Sequence, residues 1–175
     1  MKTFWLLVRT LVYGGAFLAF FAGWLPLQFF ERHPRWPAVW EGTQFAGMVL
    51  QGLGLMVILA CAWTFITRGH GTPAPFDPPV KFVRRGPYKW VRNPMYLGLI
   101  ALVGGEGLFF SSWHVAVYWV CLVCALHLLV VLYEEEALRR QFGAIYEDYR
   151  RDVARWWPRK PKALLQTVAP FEARR

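Results

Sequence analysis

Four long stretches of the chain are nearly free of charge, and the polar residues crowd into the segments between them. Phe4 to Phe30 holds a single charged residue, Arg9, and Thr43 to Thr67 holds none. Met95 to Phe110 carries only Glu106, and Trp113 to Tyr133 carries only two histidines. A helix needs roughly 20 predominantly apolar residues to cross the hydrocarbon of a bilayer. The first, second and fourth runs reach that length, and the third is shorter and rich in Gly. The pattern predicts an all-α integral membrane fold of four transmembrane helices, the last two joined by a tight turn at Ser111-Ser112. The expected organisation is a first hairpin over 1–67, a polar loop over 68–93, a second hairpin over 94–133 and a tail over 134–175. Within the tail Leu138, Phe142, Ile145 and Tyr149 recur at spacings of three and four, which predicts a cytoplasmic interfacial helix lying on the membrane surface or against the core. Trp156-Trp157-Pro158 ends that helix as an interfacial anchor, and Glu31 to Gly42, with Trp36 and Trp40, reads as an outer loop.

Composition agrees with this class: 56% of the residues are hydrophobic and ten are Trp. The first run is expected to stay as a helix, because Trp24-Leu25-Pro26-Leu27-Gln28 offers no small-residue cleavage site. The net charge of +9 is distributed as a topology signal. Lys2 and Arg9 lie at the start, six basic residues fall in the 68–93 loop and ten follow Glu136, against two in the first loop. Under the positive-inside rule both termini and the 68–93 loop are cytoplasmic. The basic excess attracts anionic lipid headgroups and calls for no nucleic-acid partner. Cys61, Cys121 and Cys124 all fall in the apolar runs and read as small packing residues. No metal site is expected.

Candidate chemistry begins in the central loop. Gly69 and Gly71, around His70, permit either a turn or a close backbone approach to a ligand. Gly86-Pro87-Tyr88 forms a second turn. Asn93-Pro94 is expected to open the third helix, with Asn as the N-cap and Pro in the first turn. Free N–H groups at that helix start suit an anionic carboxylate, and Arg92 strengthens the site. Arg84 and Arg85 read as a snorkelling, topology-setting fringe. Glu134, Glu135 and Glu136 stand where the fourth run ends, opposing the helix dipole, as acceptors for hydroxyls and an ammonium group. His127 is expected to make an interhelical hydrogen bond. Glu106, an ionisable group inside a span, should face a partner or a cavity.

Gly86-Pro87-Tyr88, Arg92-Asn93-Pro94-Met95-Tyr96-Leu97-Gly98, Glu134-Glu135, Leu138, Phe142-Gly143, Tyr146, Tyr149 and Trp156-x-Pro158 together resemble the isoprenylcysteine carboxyl methyltransferase family, whose relatives include the phospholipid N-methyltransferases. The resemblance covers residues 68–158 and implies an integral-membrane methyltransferase using S-adenosylmethionine. It implies that the Gly69-His70-Gly71 turn, Gly86, Pro87, Tyr88, Arg92, Asn93, Pro94, Tyr96, Glu134 and Glu135 enclose the cofactor, with Arg92, Glu134 and Glu106 as the catalytic candidates. The acceptor is then a lipophilic or amphipathic small molecule (a carboxylate, thiol or amine) entering from the bilayer. Two positions depart from the family pattern. Asn93 stands where the eukaryotic members carry His, and Asp152 where a basic residue usually precedes the Val of the tail motif. A nicotinamide-dependent membrane reductase of the sterol-reductase type shares an Arg-x-Pro-x-Tyr-x-Gly pattern and is the alternative enzyme. A non-catalytic lipid-binding module is the alternative outside enzymes. The compact plan points to a bacterial inner membrane.

Overall fold

The computed structural model describes residues 2–29, 36–69 and 82–158, and every regular element among them is helical. The chain begins with α1 (Lys2–Ala19), which runs through a wide π-turn at Phe20–Trp24 into α2 (Leu25–Phe29). That turn lies immediately before Pro26, which cannot donate into a regular helical ladder. Next come α3 (Gly42–Thr64), extended by a π-turn at Phe65–Gly69, and a short 3-10 turn at Gly86–Lys89. The helices α4 (Pro94–Phe109) and α5 (Trp113–Leu129) are joined at Ser111-Ser112, as the sequence predicts. Ser111 adopts a positive φ of 48°, and the Ser112 hydroxyl caps α5 by accepting from the Val115 N–H. A further π-turn, Val130–Glu134, leads into α6 (Glu135–Phe142), which is followed by α7 (Ala144–Asp152).

Two helices are long and apolar enough to cross a membrane, Gly42–Thr67 and Trp113–Phe142. Val12–Gln28 and Pro94–Phe109 are shorter apolar helices. The 16 residues of α4 extend about 24 Å at 1.5 Å per residue.

The closest helix pair is α3 with α4, and glycine explains it. Along α3 the residues turned inward are Gln44, Gly47, Gly54, Ile58 and Cys61, a three-four spacing that keeps one stripe against a neighbour. A Cβ on Gly47 would stand 2.7 Å from the Gly105 carbonyl oxygen, and one on Gly54 would stand 2.6 Å from that of Gly98. The backbones therefore touch where only glycine leaves room, a mode of association that needs no hydrophobic driving force and so works in lipid. Gln44 closes the far end of the seam, with its amide 3.5 Å from the Phe109 carbonyl oxygen and from the Ser111 hydroxyl. The opposite face of α3 is exposed and apolar, with Val49, Met56, Leu59 and Trp63 all open.

A second core joins α4 and α5 to the first helix. Leu99, Val103, Val115, Tyr118, Leu122 and Leu126 are buried together, and Phe17, Phe21 and Leu25 pack on them. Two polar ends in it are satisfied: the Tyr118 hydroxyl donates to the Phe21 carbonyl at 2.8 Å and the Trp119 indole N–H to that of Ile100 at 2.8 Å.

The tail differs from expectation in one respect. A single helix through 134–150 would bury Ile145, but Gly143 takes a φ of +52° and splits it in two. The break shifts the register, so that Tyr146 is buried and Ile145 is exposed. Tyr146, Tyr149 and Val153 form a small third core with Phe82, Leu138 and Phe142.

Candidate functional site

The site is assembled from three segments: the loop ending at Asn93, the junction of α5 with α6, and the chain that follows α7. Gly86 has a φ of +59°, and a Cβ there would stand 2.5 Å from the Thr64 Oγ1. The Gly86-Pro87-Tyr88 turn can therefore lie against the end of α3 only because its first residue is glycine. Tyr88 turns its ring edge-on to Phe65 at 5.3 Å, and its carbonyl accepts from the Tyr149 hydroxyl at 2.6 Å. Burial pushes the Tyr149 phenol upward, by more than the neighbouring Arg92 charge lowers it, which keeps it a neutral donor.

Asn93 does precede α4, and Pro94 fills the first helical turn, but the Asn93 side chain makes no cap. It donates instead to the Arg155 carbonyl at 3.3 Å. The first-turn N–H groups of α4 thus have no side-chain acceptor from their own N-cap. One residue upstream, the Arg92 backbone N–H donates to the Ala154 carbonyl at 2.9 Å.

The three glutamates after Tyr133 go to three environments. Glu134 accepts from the Tyr96 hydroxyl in α4, and no ion pair to it exists among the described residues. Glu135 is buried and is gripped by Arg155, whose Nε and Nη2 donate at 2.6 and 2.9 Å. Arg92 Nη1 stands 3.1 Å from the same carboxylate and Arg150 Nε 3.7 Å from it. Burial alone would raise the Glu135 carboxyl, but the Arg155 hydrogen bonds and the charges of Arg92, Arg155 and Arg150 outweigh it and hold it below the usual carboxylate range. Glu136 points outward to Arg139 and Arg140 and takes no part in the site.

Arg150 also donates to both Glu147 oxygens at 3.2 Å, so the excess of positive charge is that of Arg92 and Arg155 sharing Glu135. Arg92 is 10% exposed, and its Nε and Nη1 have no hydrogen-bond partner among the described residues; neither has Arg150 Nε. Arg92 Nη1 is ion-paired with Glu135, and the Nε, buried without a hydrogen bond, costs free energy.

Three expectations change. Glu106 sits twelve positions beyond Pro94 on α4, about 18 Å along the helix, so the fold does not bring it to Arg92 and Glu134. Arg84 is more than a fringe residue, because it donates to Asp152 at 2.5 Å and lies over the Tyr149 ring. The charge reversal at Asp152 is thereby compensated inside the chain. His127 does make a hydrogen bond, but to the tail: its Nδ1 accepts from the Trp156 indole N–H at 3.1 Å. His70 and Gly71 lie outside the described residues, and only the backbone of Gly69, at the end of the π-turn after α3, is described.

Arg150 and Arg155 were not singled out from the sequence. They reach Glu135 across 15 and 20 residues of chain, and no periodicity encodes such a pairing. The only signal for them was their position just before Trp156-x-Pro158.

A family model described as phospholipid methyltransferase matches residues 43–145, which is 103 of the 175 residues. The match runs from the start of α3 into α7 and includes the Gly86 turn, Arg92 to Tyr96 and both Glu134 and Glu135. No curated protein matches the chain.

Proposed function

This chain belongs to the phospholipid methyltransferase family, and on that premise we propose that it is an integral-membrane methyltransferase that uses S-adenosylmethionine and acts on a lipophilic or amphipathic acceptor. The family membership favours methyl transfer over the reductase and the non-catalytic module. In this reading the four apolar helices all insert, with both termini and the site on the cytoplasmic side of a bacterial inner membrane. The basic residues of the 68–93 loop and the tail support that orientation.

The observation that carries the proposal is the placement of opposite charges across the site. Among the described residues Arg92 keeps a buried Nε without a hydrogen bond beside the start of α4, which has no side-chain cap, and Glu134 has no ion pair. S-adenosylmethionine carries groups of both kinds, a carboxylate and an ammonium with ribose hydroxyls, so the residues present fit it. Arg92 and the α4 N-terminus would hold the carboxylate, and Glu134 the ammonium or hydroxyls. Glu135 would act through Arg92 by fixing its guanidinium, and Gly86, Pro87, Tyr88 and Tyr96 would line the pocket, as would Gly69, His70 and Gly71.

When bound, the cofactor supplies an electrophilic methyl group on a positively charged sulfur. The protein's part is to align the acceptor with that methyl and to keep water out, from which much of a transfer rate derives. A carboxylate or thiolate acceptor needs no base, whereas a protonated amine must first lose a proton. Glu134, hydrogen-bonded by Tyr96, is the group placed to take one. The acceptor would enter sideways, since the bilayer already concentrates it.

Calorimetric titration of the detergent-purified protein with S-adenosylmethionine tests the first half. Binding is expected for the wild type and its loss for Glu134→Gln, and unchanged affinity in that variant would remove Glu134 from the site. Radiolabelled cofactor with total membrane lipids tests the second half, with label expected in a lipid-extractable product.

A further inference from the structure

Up to Val153 the tail is held by apolar burial. Tyr146, Tyr149 and Val153 are each no more than 3% exposed. Beyond Val153 the character of the contacts changes. Residues 154–157 have no regular structure and no buried side chain, and Trp157 is 80% exposed. Polar links hold this strap: the Arg92 N–H to the Ala154 carbonyl, the Asn93 amide to the Arg155 carbonyl, the Arg155 guanidinium to Glu135, and the Trp156 indole to His127. Two of these links end at the start of α4 and two on the α5–α6 side. The strap therefore bridges the two sides of the site and lies against both Arg92 and Glu135.

We propose that residues 154–157 are a lid, hinged at Val153, that opens to admit the cofactor and closes over it, with Arg155 as its latch. The inference rests on the methyltransferase reading of this site. A water-soluble cofactor must enter and its product must leave once per turnover, so a strap stitched between the two sides cannot stay shut throughout the cycle. Three of its links are neutral hydrogen bonds, which water replaces at small net cost, and the fourth, Arg155 to Glu135, is charge-assisted and the strongest of them. The Val153 plug is not exchangeable in that way and stays in place as the pivot. Opening releases the Arg155 hold on Glu135 and the bond to the Arg92 backbone; closing restores both and excludes water from the reacting groups.

Hydrogen–deuterium exchange on the full chain in detergent, with and without S-adenosylhomocysteine, tests the lid. In the free protein the peptide covering 154–157 is expected to exchange faster than that covering 146–153, and the ligand is expected to slow both it and the peptide containing Arg92. Stopped-flow dissociation of the same ligand should accelerate roughly tenfold in Arg155→Ala, since a charge-assisted pair is lost, and by less in Arg155→Lys. If Arg155→Ala does not fold, Trp156→Phe removes only the indole donor, and a dissociation rate about threefold higher is expected. Exchange of 154–157 that the ligand leaves unchanged, or dissociation that none of the folded variants accelerates, would overturn the lid alone. Failure of the wild type to bind the ligand would overturn the lid and the methyltransferase reading together.

Discussion

Successive residues on a helix point about 100° apart, and that rotation gives Glu134 and Glu135 different chemistry. Glu135 turns toward Arg92, Arg150 and Arg155, and Glu134 turns toward Tyr96. Removing the charge of Glu135 leaves Arg92 and Arg155 without their carboxylate partner, while Arg150 keeps its pair with Glu147. Glu135→Gln is therefore expected to cost roughly 3 kcal/mol of stability, at the low end for a broken buried pair because Arg150 and Arg155 are each 28% exposed. The pH dependence has a definite sign. The folded Glu135 carboxyl lies below its ordinary value, so its stabilisation is complete above the unfolded carboxyl's pKa of about 4.3 and is lost only as pH falls through the lower folded value. Thermal melts of wild type and Glu135→Gln in detergent should differ by a constant amount from pH 8 to 5 and converge in stronger acid. A gap that closes between pH 8 and 6 would place the effect on another group. Glu134→Gln should melt near the wild type, since no ion pair to Glu134 exists among the described residues.

Between α3 and α4 the glycines carry the packing that large side chains carry in a water-soluble core. Gly54→Leu would drive its Cβ to within 2.6 Å of the Gly98 carbonyl oxygen and 2.9 Å of the Leu102 nitrogen, and no rotamer relieves a clash with backbone. The two helices must separate, at a cost of at least ~2 kcal/mol. Gly52→Leu, two residues away on the exposed face with nothing within 4 Å, is the control. A large fall in melting temperature is expected for the first and little change for the second, and equal melting temperatures would exclude the seam as a source of stability. The apolar runs made these helices readable from sequence, because burial and lipid both demand uniform hydrophobicity. The same uniformity hid which face of α3 meets α4, since Gly47, Gly52 and Gly54 look alike until a neighbour is present. The site divides similarly. Arg92, Asn93, Tyr96, Glu134 and Glu135 were readable as polar exceptions beside apolar runs. The role of Asn93 was not, because its acceptor, the Arg155 carbonyl, lies 62 residues away, and neither was the Gly143 break that buries Tyr146 in place of Ile145.

The proposed orientation puts the site on the cytoplasmic side; charge supports that side, and geometry supports a common side for loop and tail. Charge places Arg84, Arg85, Lys89 and Arg92 on the same side as the basic tail. Geometry agrees, because the Arg84–Asp152 pair, the Arg155–Asn93 link and the Tyr149–Tyr88 bond tie that loop to α7 and the strap, and linked segments must lie on one face of the membrane. Ser111-Ser112, at the opposite ends of α4 and α5, and Trp36 and Trp40, whose rings each pack 5.8 Å from Phe109, then lie on the other face. Fusions of a fluorescent reporter that folds only in the cytoplasm and of a phosphatase that is active only outside it would distinguish the two orientations. Fluorescence is expected from a fusion after Pro158, and phosphatase activity from insertions at Ser111 or Gly42. The reverse pattern would invert the molecule and deny the site its supply of a cytoplasmic cofactor. Phosphatase activity at both Ser111 and Pro158 would contradict the crossing of the membrane by α5, which separates the two positions.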